Sequence, residues 1–438
     1  MTEPSRWTTL HLRTTTPLFN AGGDQTGSGV RVPSLRGAMR FWFRALAGTL
    51  AGGDLRLLAR MEQAVFGSAQ VPSPVAMRIS AQPKVTRDRA PRFIQGPSAR
   101  PGQVPAGRQR PGEPGGRPSR DDGKWIIYLL GQGLADAAER TLRRDFVEPG
   151  KPVGVSFRFS GNEAVDTLAL ASLWLLCAYG GLGSRSRRGF GGLVITGSAG
   201  ELPGDWTQES VVTPGLDHFD GLSCLWPADR MMFWQYCLTE LPGVDVTFPD
   251  GEEAWTSRPS YPVLSRQWTR AALRPGNAES DWTKVLGYAG EQYRWFRAQE
   301  DAPGVPYRPQ IKTPEWRNVT GRGDDRFALG SLGLPIVFKK EGPTVHADQV
   351  SGARPAILRR ASPLWLRPVV GSDQRWKLFS FAFQGDFLPE GAAVHVWPDN
   401  TRPGREMTVT SDDLLARTDT WIKAMCAGSG FVRDRELQ

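Results

Sequence analysis

An α+β fold is the class this chain predicts, and three observations lead there. A Thr/Leu-rich alternating run (Trp7–Leu18) is followed by a stripe of apolar residues at helical spacing from Leu35 to Leu50. An apolar helix-like run (Asp166–Tyr179) is framed by the strand-like runs Val153–Phe159 and Leu193–Thr196. The order up to residue 197 is strand, helix, strand, strand, helix, strand, with one added helix and one basic insertion, which is the ferredoxin-like βαββαβ arrangement.

Each element has its own grounds. Asn20–Gly29 is a glycine-rich link, and Pro33-Ser34 opens the first helix, with Ser34 as its N-cap. Leu55–Phe66 reads as a second helix that stops at Gly67, and Val75–Ile79 as a strand. From Lys84 to Lys124 the composition changes. Glycine and proline supply about a third of it, and ten Lys or Arg stand against four Asp or Glu. Such a stretch cannot bury a core, so a mobile loop or finger is expected. Trp125–Leu130 returns to strand character. The region 200–258 is variable in pattern. A looser second unit follows, with a helix over Asp281–Gln299, strands over Ser362–Val370 and Lys377–Phe383, and a final helix capped at Ser411. The expected organisation is an N-terminal unit, 1–200, carrying the insertion 84–124, and a degenerate C-terminal unit, 201–438.

Composition narrows the partners. The 438 residues hold 54 Lys and Arg against 45 Asp and Glu, a net charge of +9, so an acidic partner is expected, nucleic acid before membrane surface. Residues 1–6 are polar and lead straight into a strand, unlike a signal peptide, and no run reaches the length of a membrane span. Cys177, Cys224, Cys237 and Cys426 form no Cys-x-x-Cys pair and read as reduced thiols. A cytoplasmic protein with no metal and no cofactor is expected. His11, His218, His346 and His395 sit in no catalytic motif, and no nucleophile elbow or two-metal carboxylate pattern is present.

The residue pattern that carries chemistry is Gly180–Gly192, with six glycines, three arginines and two serines. Glycines let a backbone approach a ligand closely, successive N–H groups can hold an anion, and guanidinium forks match phosphate oxygens. No Gly-Lys-Ser/Thr follows, so it is not a nucleotide-triphosphate loop. The alternative is a turn-forming surface loop. Arg36, Arg40 and Arg44 recur at i, i+4 and i+8 of the first helix and form one ridge with no carboxylate between Asp24 and Asp54. Loop and ridge together could track a sugar-phosphate backbone while Phe190, Trp42 or Phe41 stacks on a base. A solvated charged face, with the aromatics in the core, is the competing reading.

Four segments occur in a recognisable order: Thr16-Pro17-Leu18-Phe19, Val32–Ala45, Glu62-x-x-Val65-Phe66-Gly67-Ser68, and Gly181–Gly191. In combination they resemble the RAMP superfamily of CRISPR proteins, and within it the first RAMP subunit of type III-B (Cmr) RNA-targeting effector complexes. In the second half only Leu332–Ile336 and Arg360–Leu364 look familiar, so the likeness is thinner there. The resemblance implies two fused ferredoxin-like domains around a basic cleft. It implies a non-catalytic subunit that holds guide RNA and its complementary target RNA near the guide 3′ end, beside other RAMP subunits and small subunits. Arg36, Arg40 and Arg44 match the helix motif, and Gly183, Ser184, Arg185, Arg187, Arg188, Gly189 and Phe190 match the loop. The long insertion departs from compact members. The competing function is a metal-independent repeat-processing endoribonuclease of the same superfamily, with His11 as its base.

Overall fold

The computed structural model describes residues 7–21, 29–96, 121–213, 228–246, 257–297, 314–338, 342–351, 354–398 and 403–431. The chain is α+β, built from several small antiparallel sheets with helices packed against them.

The first half runs β1 (Thr8–Thr14), α1 (Val32–Ala51), α2 (Leu55–Phe66), β2 (Ala76–Ala81), β3 (Val85–Thr86), α3 (Asp122–Leu130), β4 (Ala135–Asp136), β5 (Thr141–Leu142), β6 (Phe146–Val147), β7 (Pro152–Arg158), α4 (Glu163–Tyr179) and β8 (Leu193–Ala199). The main sheet has the order β2-β7-β1-β8, antiparallel throughout. That order is what a βαββαβ chain produces when its two crossover helices share one face. Period-two burial in β1 sends Leu10 and Leu12 into the core and leaves His11 and Arg13 in solvent. Helix α4 is apolar on every side because it is enclosed: Ala164 to Tyr179 are all buried, and α1 packs against it. Asn162 caps it by accepting from the Val165 N–H at 3.0 Å.

The second half runs α5 (Ala228–Thr239), β9 (Thr269–Leu273), α6 (Trp282–Phe296), α7 (Pro314–Val319), β10 (Ile336–Val337), β11 (Thr344–Ser351), β12 (Arg354–Leu358), β13 (Leu364–Val370), β14 (Trp376–Phe383), β15 (Ala392–Trp397) and α8 (Ser411–Ala427). Strands β13, β14 and β9 form one sheet in that order, and β11 carries β10, β12 and β15 in another. The cap of α8 lies one residue earlier than Ser411: Thr410 and Asp413 form a reciprocal capping box.

Several expectations need correction. Helix α1 begins at Val32, so Ser34 lies inside its first turn, with Pro33 ahead of it. Trp125–Leu130 is helical: Asp121 caps it by accepting from the Lys124 N–H at 3.1 Å. It lies on α6 at a point where Gly287 and Gly290 leave room for Asp122 and Trp125. The flanks of the basic insertion are packed: Ile94 is fully buried, and Ile126, Ile127, Leu129 and Leu130 belong to the core of the second half. Its middle, 97–120, lies outside the described residues. Packing does not divide at residue 200. Trp206, Trp234, Cys237 and Leu238 join the core of the first unit, and so do Phe379 and Phe381 from β14. Among the described residues no helix is long and apolar enough to cross a membrane.

Candidate nucleic-acid interface

The arginine ridge of α1 exists, and its three members differ. Arg40 donates to the carbonyls of Phe66 at 3.0 Å and Gly67 at 2.6 Å, and its Nε stands 3.4 Å from Glu62. Arg44 Nε stands 3.4 Å from the other Glu62 oxygen. The expectation of an unneutralised ridge is therefore corrected at two positions: α2 folds back along α1 and delivers a carboxylate that the local sequence lacks. Arg36 has no hydrogen bond or ion pair among the described residues. Partial burial, and then the charge of Arg40, draw its pKa down.

The glycine–arginine loop is a joint between the halves as well as a candidate surface. Gly183 (φ +84°) lies against the Phe19 backbone and Gly191 (φ +67°) against Leu182, positions where a side chain would collide with main chain. The Ser184 N–H donates to Phe19 O at 2.8 Å and the Gly191 N–H to Pro17 O at 2.9 Å. Those amides are spent within the chain and do not form an anion nest. The Leu366 N–H donates to Arg187 O at 3.2 Å, which ties the loop to β13.

Its side chains also divide. Phe190 is 1% exposed and meets Phe19 edge-on at 5.9 Å, so it is a core residue and no base reaches it. Gly189 is buried against Leu286. Arg187 donates to Ser362 O at 2.5 Å and lies over the rings of Trp365 at 4.9 Å and Phe41 at 5.3 Å. This contact brings the loop against α1, as the sequence implied. Burial, then Arg360 and Arg188, push the Arg187 pKa down to about 10. Arg188 lies 4.0 Å over Tyr293, with its Nη1 buried and unpartnered among the described residues. Arg185, in the left-handed region at φ +63°, has its pKa lowered by burial and by the neighbouring Arg188 and Arg297.

Two arginines that sequence reasoning missed complete this seam. Arg367, 5% exposed, donates to the carbonyls of Gly180, Cys177 and Leu193, so a cation from β13 closes the carbonyl end of α4. Arg360 stands beside Arg187 in a cleft walled by Tyr261, Pro262 and Phe383, and its pKa is lowered by burial. The signal for Arg367 was a lone cation inside the apolar run Leu364–Val370. Next to this cleft, Phe41, Leu55, Leu58 and Tyr261 line an apolar pocket of about 380 Å³ with Arg44 and Glu62 on its wall. The seam thus collects guanidinium groups with few carboxylates, an arrangement that attracts phosphate oxygens.

Residues 11–194 match the RAMP superfamily, a span that contains all four motifs of the first half. A curated relative, the CRISPR system Cmr subunit Cmr1-1 of Pyrococcus furiosus, is 32% identical over 397 residues, 90% of this chain and 91% of that one. The chain belongs to the Cmr1 family of the RAMP superfamily. Subunit Cmr1-2 of the same organism is 27% identical over 191 residues, 42% of this chain and 92% of its own. The crystal structure of Pyrococcus furiosus Cmr1 in its apo form shares the fold, with a TM-score of 0.51 at 20% identity over 97% of each chain. For a Cmr1-family protein the loop between α4 and β8 is then a structural joint first.

Proposed function

We propose that the chain is a non-catalytic, RNA-binding subunit of a cytoplasmic type III-B CRISPR ribonucleoprotein effector complex. It holds guide RNA and complementary target RNA near the guide 3′ end, next to other RAMP subunits and small subunits. The observation that carries this is the full-length likeness to a Cmr subunit, 32% identical over nine-tenths of both chains. The contact surface includes Arg36 and the seam arginines, with Arg185 and Arg188 reaching phosphates and Arg40 and Arg44 in reserve behind Glu62. Recognition is of backbone and shape, because these groups are charges at fixed spacing and carry no base-edge code.

Two fused ferredoxin-like units fit this reading. The second is built from β9, α6, β13, β14 and α8, with the strand order β13-β14-β9 that the first three strands of such a unit produce. The proposed division near residue 200 then separates chain segments whose cores interlock.

The test is single-stranded RNA binding by the full chain across a salt series. Affinity falls steeply with salt, Arg36→Glu weakens it about tenfold, and RNA incubated with the chain in EDTA stays intact. Metal-free cleavage that disappears in His11→Ala would replace this reading with the endoribonuclease. Salt-insensitive or absent RNA binding would leave an adaptor between protein subunits.

A further inference from the structure

Among the described residues the helices pack on one face of the sheet β2-β7-β1-β8, and the other face has an exposed rim around the buried Gly154 and Ser156. None of its four strands contains Asp or Glu. His11, Arg13, Arg78 and Arg158 are exposed on it, and Trp7, just ahead of β1, is half-buried. Register places these groups in rows: Thr9 pairs with Ser156, and Ser156 in turn with Arg78, while Arg158 pairs with Ala76 at the sheet end nearest Trp7. The guanidinium of Arg78 stands 4.2 Å from the Trp7 ring centroid and that of Arg158 5.8 Å. Among the described residues none of Arg13, Arg78 and Arg158 forms an ion pair or donates to a carboxylate. The strand β1 runs about 20 Å from the Trp7 end to Arg13, so the cations mark both ends of one track.

Exposed cations without counter-charges on one face raise its positive potential and favour an anion there. Trp7 stays partly exposed beside these guanidinium groups and so offers an aromatic surface to an unpaired base. Single-stranded RNA supplies both complements, phosphates for the arginines and an exposed base for Trp7. An acidic peptide would satisfy the charges and leave the ring unused. A peptide adding by backbone pairing would need a sheet edge and not a face. We infer that this sheet face is a second track for single-stranded RNA, separate from the seam and independent of the seam's role.

The experiment uses the full chain and a fluorescein-labelled 20-nucleotide oligouridine, with anisotropy recorded across a salt series. Three variants are compared with the native chain: Trp7→Ala, the pair Arg78→Glu/Arg158→Glu, and Arg36→Glu. The arginine pair weakens binding at least about tenfold and makes the log–log salt slope shallower by about 1.4, two phosphates at roughly 0.7 each. Trp7→Ala weakens binding about tenfold with the slope unchanged, because a ring releases no counterions. Arg78 and Arg158 are exposed and carry no ion pair among the described residues, so the pair keeps the native circular dichroism and melting temperature even if Trp7→Ala does not. Sheet variants that bind within twofold of native with an unchanged slope, while Arg36→Glu weakens binding, would overturn the second track and leave the seam reading standing. Sheet variants that bind RNA normally and fail to join partner subunits would also overturn it, in favour of a protein contact. No RNA binding by the native chain would sink both.

Discussion

At the scale of single residues, arginines that look alike in sequence do opposite work. Arg36 has no hydrogen bond or ion pair among the described residues, so Arg36→Glu alters RNA affinity and leaves stability within about 0.5 kcal/mol. Arg367 is 5% exposed and satisfies three carbonyls around the end of α4. Arg367→Leu strands those acceptors, and chemical denaturation should register a loss of about 3 kcal/mol. A loss under 1 kcal/mol would show that the joint tolerates the missing fork. Arg187 lies between these cases, packed on Trp365 and Phe41. At a pKa of about 10 it stays charged at neutral pH. Charge reversal there therefore lowers the melting temperature, and reduced RNA retention by that variant is interpretable only after the fold is checked. The clustering of Arg36, Arg40 and Arg44 on α1 and of Arg185, Arg187 and Arg188 in the loop was legible in the sequence, and the place of Arg367 was not. Their partners were not, because carbonyls at Ser362, Gly180 and Leu193 and the carboxylate of Glu62 come from elements that only tertiary packing brings near.

At the scale of elements, periodicity served well wherever one face meets solvent. The strand β1 and the helices α1 and α2 lie where the spacing of apolar residues put them, and the enclosed α4 lies where an unbroken apolar run put it. Helix α3 was misread because its apolar run is short, and short apolar runs fit a buried strand as well as a buried helix; the cap at Asp121 decides it. Caps give a direct prediction: Asn162→Ala destabilises the chain by about 1 kcal/mol, seen as a lower denaturation midpoint with unchanged slope. The sheet around β11 went unread, since its pairings join β11 to β15 across more than forty residues. There, His346 on β11 has its pKa lowered, chiefly by burial; Asp348 opposes the shift and Arg359 adds to it. A base whose folded pKa lies below its unfolded value keeps the folded state neutral while the unfolded chain takes up a proton. Stability is therefore lost as pH falls through the unfolded value near 6.5, and levels off below the folded pKa. His346→Gln removes that component, so the stability difference between pH 7.5 and 5.5 becomes smaller in the variant. An unchanged difference would mean the imidazole titrates alike in both states.

At the scale of the molecule, the two halves hold each other's cores. Trp365, Phe379 and Phe381 pack with Trp42 and Tyr179, while α3 from the first half lies on α6 of the second. A chain ending at residue 200 therefore exposes the aromatic face around Trp42 and loses the α5 cover of α4. It should be recovered as aggregate or with no cooperative thermal transition, and a soluble two-state 1–200 fragment would contradict the shared core. The division at 200 follows from the βαββαβ order, which is complete by residue 197; interlocking packing across that point leaves no trace in local sequence. In the proposed function RNA would lie against exposed cations, and the glycine–arginine loop mainly ties the halves together. The most direct measurement is the log–log slope of single-stranded RNA affinity against salt for the native full chain. The account predicts a slope of about −3, four or so phosphates at roughly 0.7 each. A slope near zero would contradict it.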